Sequence, residues 1–350
     1  MKQTIFTLFF TFCLTSAFAQ PNDLGKTITE YAQNSNFHGT ILVMQNNQSL
    51  YHQSFGYANR QHDIKNTNDT KYKIASITKT FTAVLILQLY EQGKLELDKP
   101  IKQYLPDYAG EGVDKVTIHH LLTHSSGIEN CEKNGLEMYE LPQTTDEIIR
   151  KYCSGKLENE VGNQFSYNNG DYVILGKIIE EIYKKSYQQV LQEQILTPLQ
   201  LKNTDLVRQP NIVKNLANTY LWNDTTKVFE NDPSIYIENY FSAGALYATT
   251  TDLALFAGAL FGKKLLKEST LNLMLTSYPN FWYTAYSVWV TEQKINTWSG
   301  KVVERYGSIY GANALLAHYI GSNTTIIILS NTNATDLGKF KMEISKAVVK

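Results

Sequence analysis

The chain has 350 residues, more than one compact domain usually needs, yet within reach of a single two-lobed enzyme unit. Hydrophobic residues make up 43% and charged residues 19%, enough apolar material to offset the entropy of ordering, which excludes a disordered or collagen-like chain. Lys and Arg (32) balance Asp and Glu (33) with no block of like charge, so nucleic acid is not an expected partner.

Taken in chain order, the sequence opens with Lys2, an apolar run from Ile5 to Leu14, and Ala17-Phe18-Ala19. This is the pattern of a signal peptide over residues 1–19, with cleavage before Gln20. The run is too short to span a bilayer, Cys13 lacks the small residues of a lipoprotein site, and no later segment offers about 18 uninterrupted apolar residues. The expectation is export to the periplasm or the medium without a stable membrane anchor.

A helix is predicted over Thr27–Asn34, then a β-hairpin within Gly39–Ala58 that turns at Asn46-Asn47-Gln48. The middle reads as helical: Ser76–Gln92 with Gly93 as its stop, Ile118–His124, Thr145–Cys153, Asp171–Tyr187 and Thr251–Phe261. Strand patterns return at Trp282–Thr291, Asn313–Tyr319 and Thr324–Ser330, before an amphipathic stretch over Leu337–Val349. Blocks of β, then α, then β argue for an α+β fold. The two chain ends would build one antiparallel sheet, flanked by the N- and C-terminal helices, around an inserted mostly helical lobe. With no repeat and no Pro- or Gly-rich linker, residues 20–350 are expected to form one domain, its α/β lobe from 20–75 and 243–350 and its helical lobe from 76–242.

Ser76 and Lys79 open the long apolar helix, and a spacing of three puts them on one face about a turn apart, where the amine can reach the hydroxyl. A serine hydroxyl needs such a base to become a nucleophile, so the pair suits acyl transfer, although Ser76 could equally be a helix N-cap. Tyr167-Asn168-Asn169 stands in a polar loop before the next long helix. A tyrosine beside an ammonium has its pKa lowered and can shuttle a proton. At the start of a C-terminal strand, Arg305-Tyr306-Gly307-Ser308 offers fixed positive charge and, at Gly307, close approach of a substrate to the strand-edge N–H groups. Cys131 and Cys153 are the two cysteines left after cleavage. In an oxidising compartment a disulfide between them is plausible, closing a loop of about 22 residues, with a pair of free, partly buried thiols as the other reading.

These motifs, with Tyr104-Leu105-Pro106, Leu121-Leu122-Thr123-His124-Ser125-Ser126-Gly127, Pro198-Leu199, Asn203-Thr204, Ser242-Ala243-Gly244 and Thr251-Asp252-Leu253, run through nearly the whole mature chain. In that order they resemble the serine β-lactamase and penicillin-binding protein family, especially its class C-like branch with D-Ala-D-Ala carboxypeptidases and esterases. The resemblance implies that Ser76 attacks a carbonyl, that Lys79 and Tyr167 move its proton, and that Asn169 orients Lys79 and the substrate amide. It places the oxyanion between the N–H groups of Ser76 and Ser308. It implies no cofactor, and as substrate a small molecule or peptide: a cell-wall peptide, a β-lactam or an ester, with a non-hydrolytic penicillin-binding or sensor protein as the alternative. The sequence departs from the family at Arg305-Tyr306, where the family has Lys or His and often Thr. Arginine cannot relay a proton, so Arg305 is expected to hold a substrate carboxylate or to bias Tyr167 toward phenolate. His119, His120 and His124 do not read as a metal site, since no Glu follows His120 and His124 belongs to a family-like motif. Aromatic residues from Tyr236 to Phe241 are candidates to line the groove or to pack beneath a loop.

Overall fold

A computed structural model describes residues 23–349, so the proposed signal peptide and Cys13 lie outside the described residues. Helix α1 (Asp23–Asn34) leads into strands β1 (Gly39–Gln45) and β2 (Gln48–Phe55). Asn46 and Asn47 join these strands with φ of 50° and 63°, the left-handed pair a two-residue hairpin turn requires and asparagine tolerates. The long helices of the middle are α2 (Thr78–Glu91), α3 (Asn169–Tyr183) and α4 (Thr250–Phe261). The chain then returns through β3 (Trp289–Ile295), β4 (Trp298–Ile309), β5 (Ala312–Tyr319) and β6 (Thr324–Ser330) to helix α5 (Leu337–Val348).

The six strands form one antiparallel sheet in the order β3-β4-β5-β6-β1-β2, so the two chain ends meet where β6 pairs with β1. Both faces are covered. Ile41, Val43, Leu315, Ala317, Ile326 and Ile328 pack against α1 and α5, where Tyr31 stacks on Phe340 at 4.4 Å. Their alternate neighbours Leu42, Ala314, Leu316, Ile327 and Leu329 join the core of the helical side. Burial on both faces explains why these strands read as unbroken apolar runs rather than as alternation.

Helix α2 lies at the centre of that second core, with eleven of its fourteen residues buried and Phe81 stacked on Phe256 of α4 at 3.8 Å. Its approach is fixed by a small three-stranded sheet in which Leu246–Ala248 lies between Tyr72–Lys73 and Asp205–Leu206. The Ile74 N–H donates to the Leu246 carbonyl at 2.9 Å, which anchors the chain two residues before Ser76.

Two strand expectations need correction. Trp282–Ser287 is not strand: Trp282, Tyr283 and Ser287 have φ of 57°, 60° and 69°, so the segment turns and β3 begins at Trp289. Arg305 lies well inside the twelve-residue β4, not at the start of a strand. The length of β4 is masked by buried charge, because Glu304 faces α5 and pairs with Lys341 at 2.6 Å while Arg305 faces the helical lobe. No helix among the described residues is long and apolar enough to cross a membrane.

Candidate active site

Ser76 sits in a single turn of 3-10 helix, Ala75–Ile77, that feeds α2. Ala75 holds φ at 47°, a left-handed conformation for a residue with a side chain, so the turn is strained one position before the serine. The α2 cap position belongs to Ile77, without a side-chain cap bond. Ser76 is therefore not an N-cap. Its Oγ lies 2.7 Å from the Tyr167 hydroxyl and accepts a hydrogen bond from Lys79 Nζ at 3.2 Å.

Lys79 is fully buried, and its three donors reach Ser76 Oγ, Asn169 Oδ1 at 2.6 Å and the Ala243 carbonyl at 2.8 Å. Burial pushes its ammonium below the ordinary lysine range, Arg305 adds to that shift, and Tyr167 opposes it. Asn169 is the first residue of α3, capped by Asn168, whose side chain accepts from the Gly170 N–H at 2.9 Å. The Asn169 amide nitrogen donates to Glu132 Oε1 at 2.9 Å, so the side chain joins Lys79 to a carboxylate.

Arg305 is only 1% exposed; its Nε donates to the Ser76 carbonyl at 2.8 Å and a terminal nitrogen to the Tyr167 hydroxyl at 3.0 Å. Of the two roles expected for it, the bonding fits the bias on Tyr167. Burial alone would raise the Tyr167 pKa, but the charges of Lys79 and Arg305, with the hydrogen bond to Ser76, outweigh it and hold the phenol at about 8. The phenolate is thus accessible near neutral pH, with the serine proton as its neighbour.

Gly307 is required by close approach: a Cβ there would stand 2.3 Å from the Ile74 carbonyl oxygen and 3.0 Å from the Ser76 nitrogen. The strand therefore runs against the serine turn, with Ser308 next along it. Tyr306 points the other way, its hydroxyl 3.3 Å from where a Cβ of Gly338 in the first turn of α5 would stand. It does not take the place of a carboxylate-binding threonine. Ser76, Tyr167, Asn169, Arg305 and Ser308 line one cleft of about 540 Å³ together with Glu132, Phe165, Tyr240 and Trp289. Of the aromatic run before Ser242, Tyr240 reaches this cleft, whereas Phe241 packs on Tyr187 at 5.1 Å. A larger cleft of about 720 Å³ beside Tyr104 and Lys177 carries ion pairs but none of these groups.

Cys131 and Cys153 are brought side by side beneath the start of α3, but as free buried thiols and not as the disulfide expected from the compartment. The hydrogen bond between them and their burial push the Cys153 thiol well up, so it stays protonated. The three histidines have separate tasks. His119 Nδ1 meets the Tyr286 hydroxyl at 2.8 Å, and His120 Nδ1 accepts from the Thr117 N–H at 3.1 Å. His124 lies 3.1 Å from Asp171 Oδ2, with its ring 4.4 Å from that of Tyr167.

Glu132 was not legible as a site residue, since it belongs to no motif, and Ala243, although within Ser242-Ala243-Gly244, enters through its backbone carbonyl, which residue type does not signal. Their placement depends on packing between distant segments: Asn168 ties the 128–131 loop to α3 through the Ile128 and Glu129 carbonyls, both at 3.1 Å.

Residues 24–347 match the model of the beta-lactamase family. The chain belongs to that family. Among curated members, the teichoic acid D-alanine hydrolase of Staphylococcus aureus is 30% identical over 253 residues, 72% of this chain and 62% of that protein. The chain thus spans about 62% of the length of the relative it matches. The octameric penicillin-binding protein homologue from Pyrococcus abyssi superposes with a TM-score of 0.79 at 26% identity, over 91% of this chain and 75% of that one. The D-amino acid amidase from Ochrobactrum anthropi SV3 shares the fold, with a TM-score of 0.81 at 20% identity, over 93% of this chain and 99% of that one. The antiparallel sheet with helices on both faces is the family's β-lactamase/transpeptidase-like fold.

Proposed function

We propose that the chain is an exported serine hydrolase that cleaves an ester or amide through an acyl-enzyme on Ser76. The observation that carries this reading is the Tyr167 hydroxyl 2.7 Å from Ser76 Oγ, with Lys79 and Arg305 holding its pKa at about 8. The Tyr167 phenolate takes the serine proton as Oγ bonds to the substrate carbonyl carbon, while Lys79 donates to Oγ. The oxyanion is held by the N–H groups of Ser76 and Ser308, a kind of contact worth about 3 kcal/mol of barrier per donor in other enzymes. Tyr167 then gives the proton to the departing oxygen or nitrogen. Water releases the acyl group by the same path in reverse, with Tyr167 again the base. Export rests on the Lys2, Ile5–Leu14 and Ala17-Phe18-Ala19 pattern.

Arg305 narrows the substrate. A β-lactam or a D-Ala-D-Ala peptide needs a cation for its carboxylate, and among the described residues the one cation lining the cleft is buried and already bonded to Ser76 and Tyr167. Esters and amides without a neighbouring carboxylate are favoured. The full set of Ser76, Lys79, Tyr167 and Asn169 speaks for turnover over a non-hydrolytic binder.

The test is intact mass spectrometry after exposure to a fluorophosphonate and, separately, to a penicillin. A fluorophosphonate adduct absent from Ser76→Ala, with little or slow penicillin labelling, is the expected result. Labelling that survives in Ser76→Ala removes the serine mechanism.

A further inference from the structure

The cleft has two ends, set by the direction of β4. Arg305 stands at one, and the strand carries the wall past Ser308 to Tyr310 at the other, where Tyr240 and Glu132 also lie. The Arg305 end is aromatic. Trp289, paired with Glu304 across β3 and β4, lays its ring 5.1 Å from the Arg305 guanidinium. Phe165, two residues before Tyr167, meets the Trp289 ring edge-on at 6.4 Å. The left-handed turns at Trp282, Tyr283 and Ser287 fix this end of β3: Thr284 pairs with Trp289, and the Val290 N–H donates to the Tyr283 carbonyl at 3.1 Å. The Arg305 charge is therefore spent on the Ser76 carbonyl and the Tyr167 hydroxyl and shielded by an indole. Which end receives the departing half of the substrate is decided by the proton. Tyr167 delivers it, and the Tyr167 hydroxyl is bonded to Arg305, so the leaving group lies toward Trp289 and Phe165 and the acyl group toward Tyr310.

We infer that Phe165 and Trp289 form the leaving-group subsite, and that it takes a flat aromatic alcohol or amine. An aromatic ring finds edge and face partners there as well as apolar surface to cover, whereas an anionic leaving group finds no free cation among the described residues. This rests on the serine hydrolase reading and names the departing half of its substrate.

The experiment compares kcat/KM for benzyl, cyclohexylmethyl and methyl acetate, which share an acyl group and release alcohols of similar acidity. All three leave the same acetyl-enzyme, so the comparison reads acylation, and ratios taken on one preparation cancel any general loss of activity. The wild-type protein is expected to favour benzyl over methyl acetate about tenfold or more, and benzyl over cyclohexylmethyl acetate about two- to tenfold. Trp289→Leu, which keeps apolar bulk without the ring, should bring the benzyl to cyclohexylmethyl ratio close to one, and Phe165→Leu should lower it by less. Loss of the indole cover over Arg305 slows the three esters together and leaves that ratio in place. A wild-type benzyl to cyclohexylmethyl ratio near one, or a ratio that both variants leave unchanged, overturns the inference and makes Trp289 a cover for Arg305 alone. Failure of the serine mechanism is read separately, as hydrolysis of all three esters that survives in Ser76→Ala.

Discussion

Two polar clusters, each containing a serine, meet at Tyr167, and they differ in the direction of their hydrogen bonds. At the cleft, Ser76 Oγ faces a phenol of lowered pKa and accepts from an ammonium, so its proton has somewhere to go. Behind Tyr167, Ser126 Oγ donates to Asp171 Oδ1 at 2.6 Å, and Asp171 lies against His124. By composition the second cluster is Ser, His and Asp, the set found in many hydrolases. By geometry it is inert, because the serine bonds the acid instead of the imidazole and all three side chains are buried. Burial pushes the Asp171 carboxyl well up and the His124 imidazole well down, so charge is disfavoured on both, and they form a packed support beneath the tyrosine. Residue types alone do not identify a catalytic serine; the acceptor of its proton does.

The contrast can be broken most sharply at the serines. Ser76→Ala is expected to lower kcat/KM on a p-nitrophenyl ester by about 10⁴-fold or more while leaving the unfolding midpoint in place. Retained activity would assign the chemistry elsewhere. Tyr167→Phe removes the proton acceptor, and a loss of about 10²- to 10⁴-fold is expected. The wild-type rate should rise with pH through about 8, since the phenolate is the active form, and that inflection should vanish in Tyr167→Phe. Arg305→Gln should move the same inflection to higher pH, because one of the two cations that stabilise the phenolate is gone. A pH profile that does not move would separate Arg305 from Tyr167. The smallest effect on turnover is expected behind the tyrosine. Ser126→Ala should cost about 1 to 3 kcal/mol in urea unfolding, with kcat/KM changed only a few-fold. A collapse of activity in the folded variant would make the second cluster part of the chemistry.

Much of the site is local in sequence and was legible for that reason. Ser76 and Lys79 share a helical face, and Tyr167 and Asn169 flank one helix start, so spacing alone brings each pair together. The Asn46-Asn47 turn was legible in the same way, from residues that tolerate left-handed φ. Glu132 was not, because its role comes from a loop held to α3 across almost forty positions by Asn168. The length of β4 was hidden because Glu304 and Arg305 occupy buried positions where the pattern calls for apolar side chains, each compensated by a partner far along the chain. The disulfide was expected from compartment and count, neither of which carries information on whether two sulfurs are bonded.

The burial of α2 has a consequence for how the molecule loses its activity. A helix enclosed on nearly every side has no local opening of its own, so its amides should exchange with solvent only when the whole molecule unfolds. The nucleophile stands on the turn that leads into this helix, and the lysine beneath it is part of the helix itself. Heat or denaturant should therefore abolish activity and native structure in a single transition, and a reagent bound to Ser76 would report on the global fold.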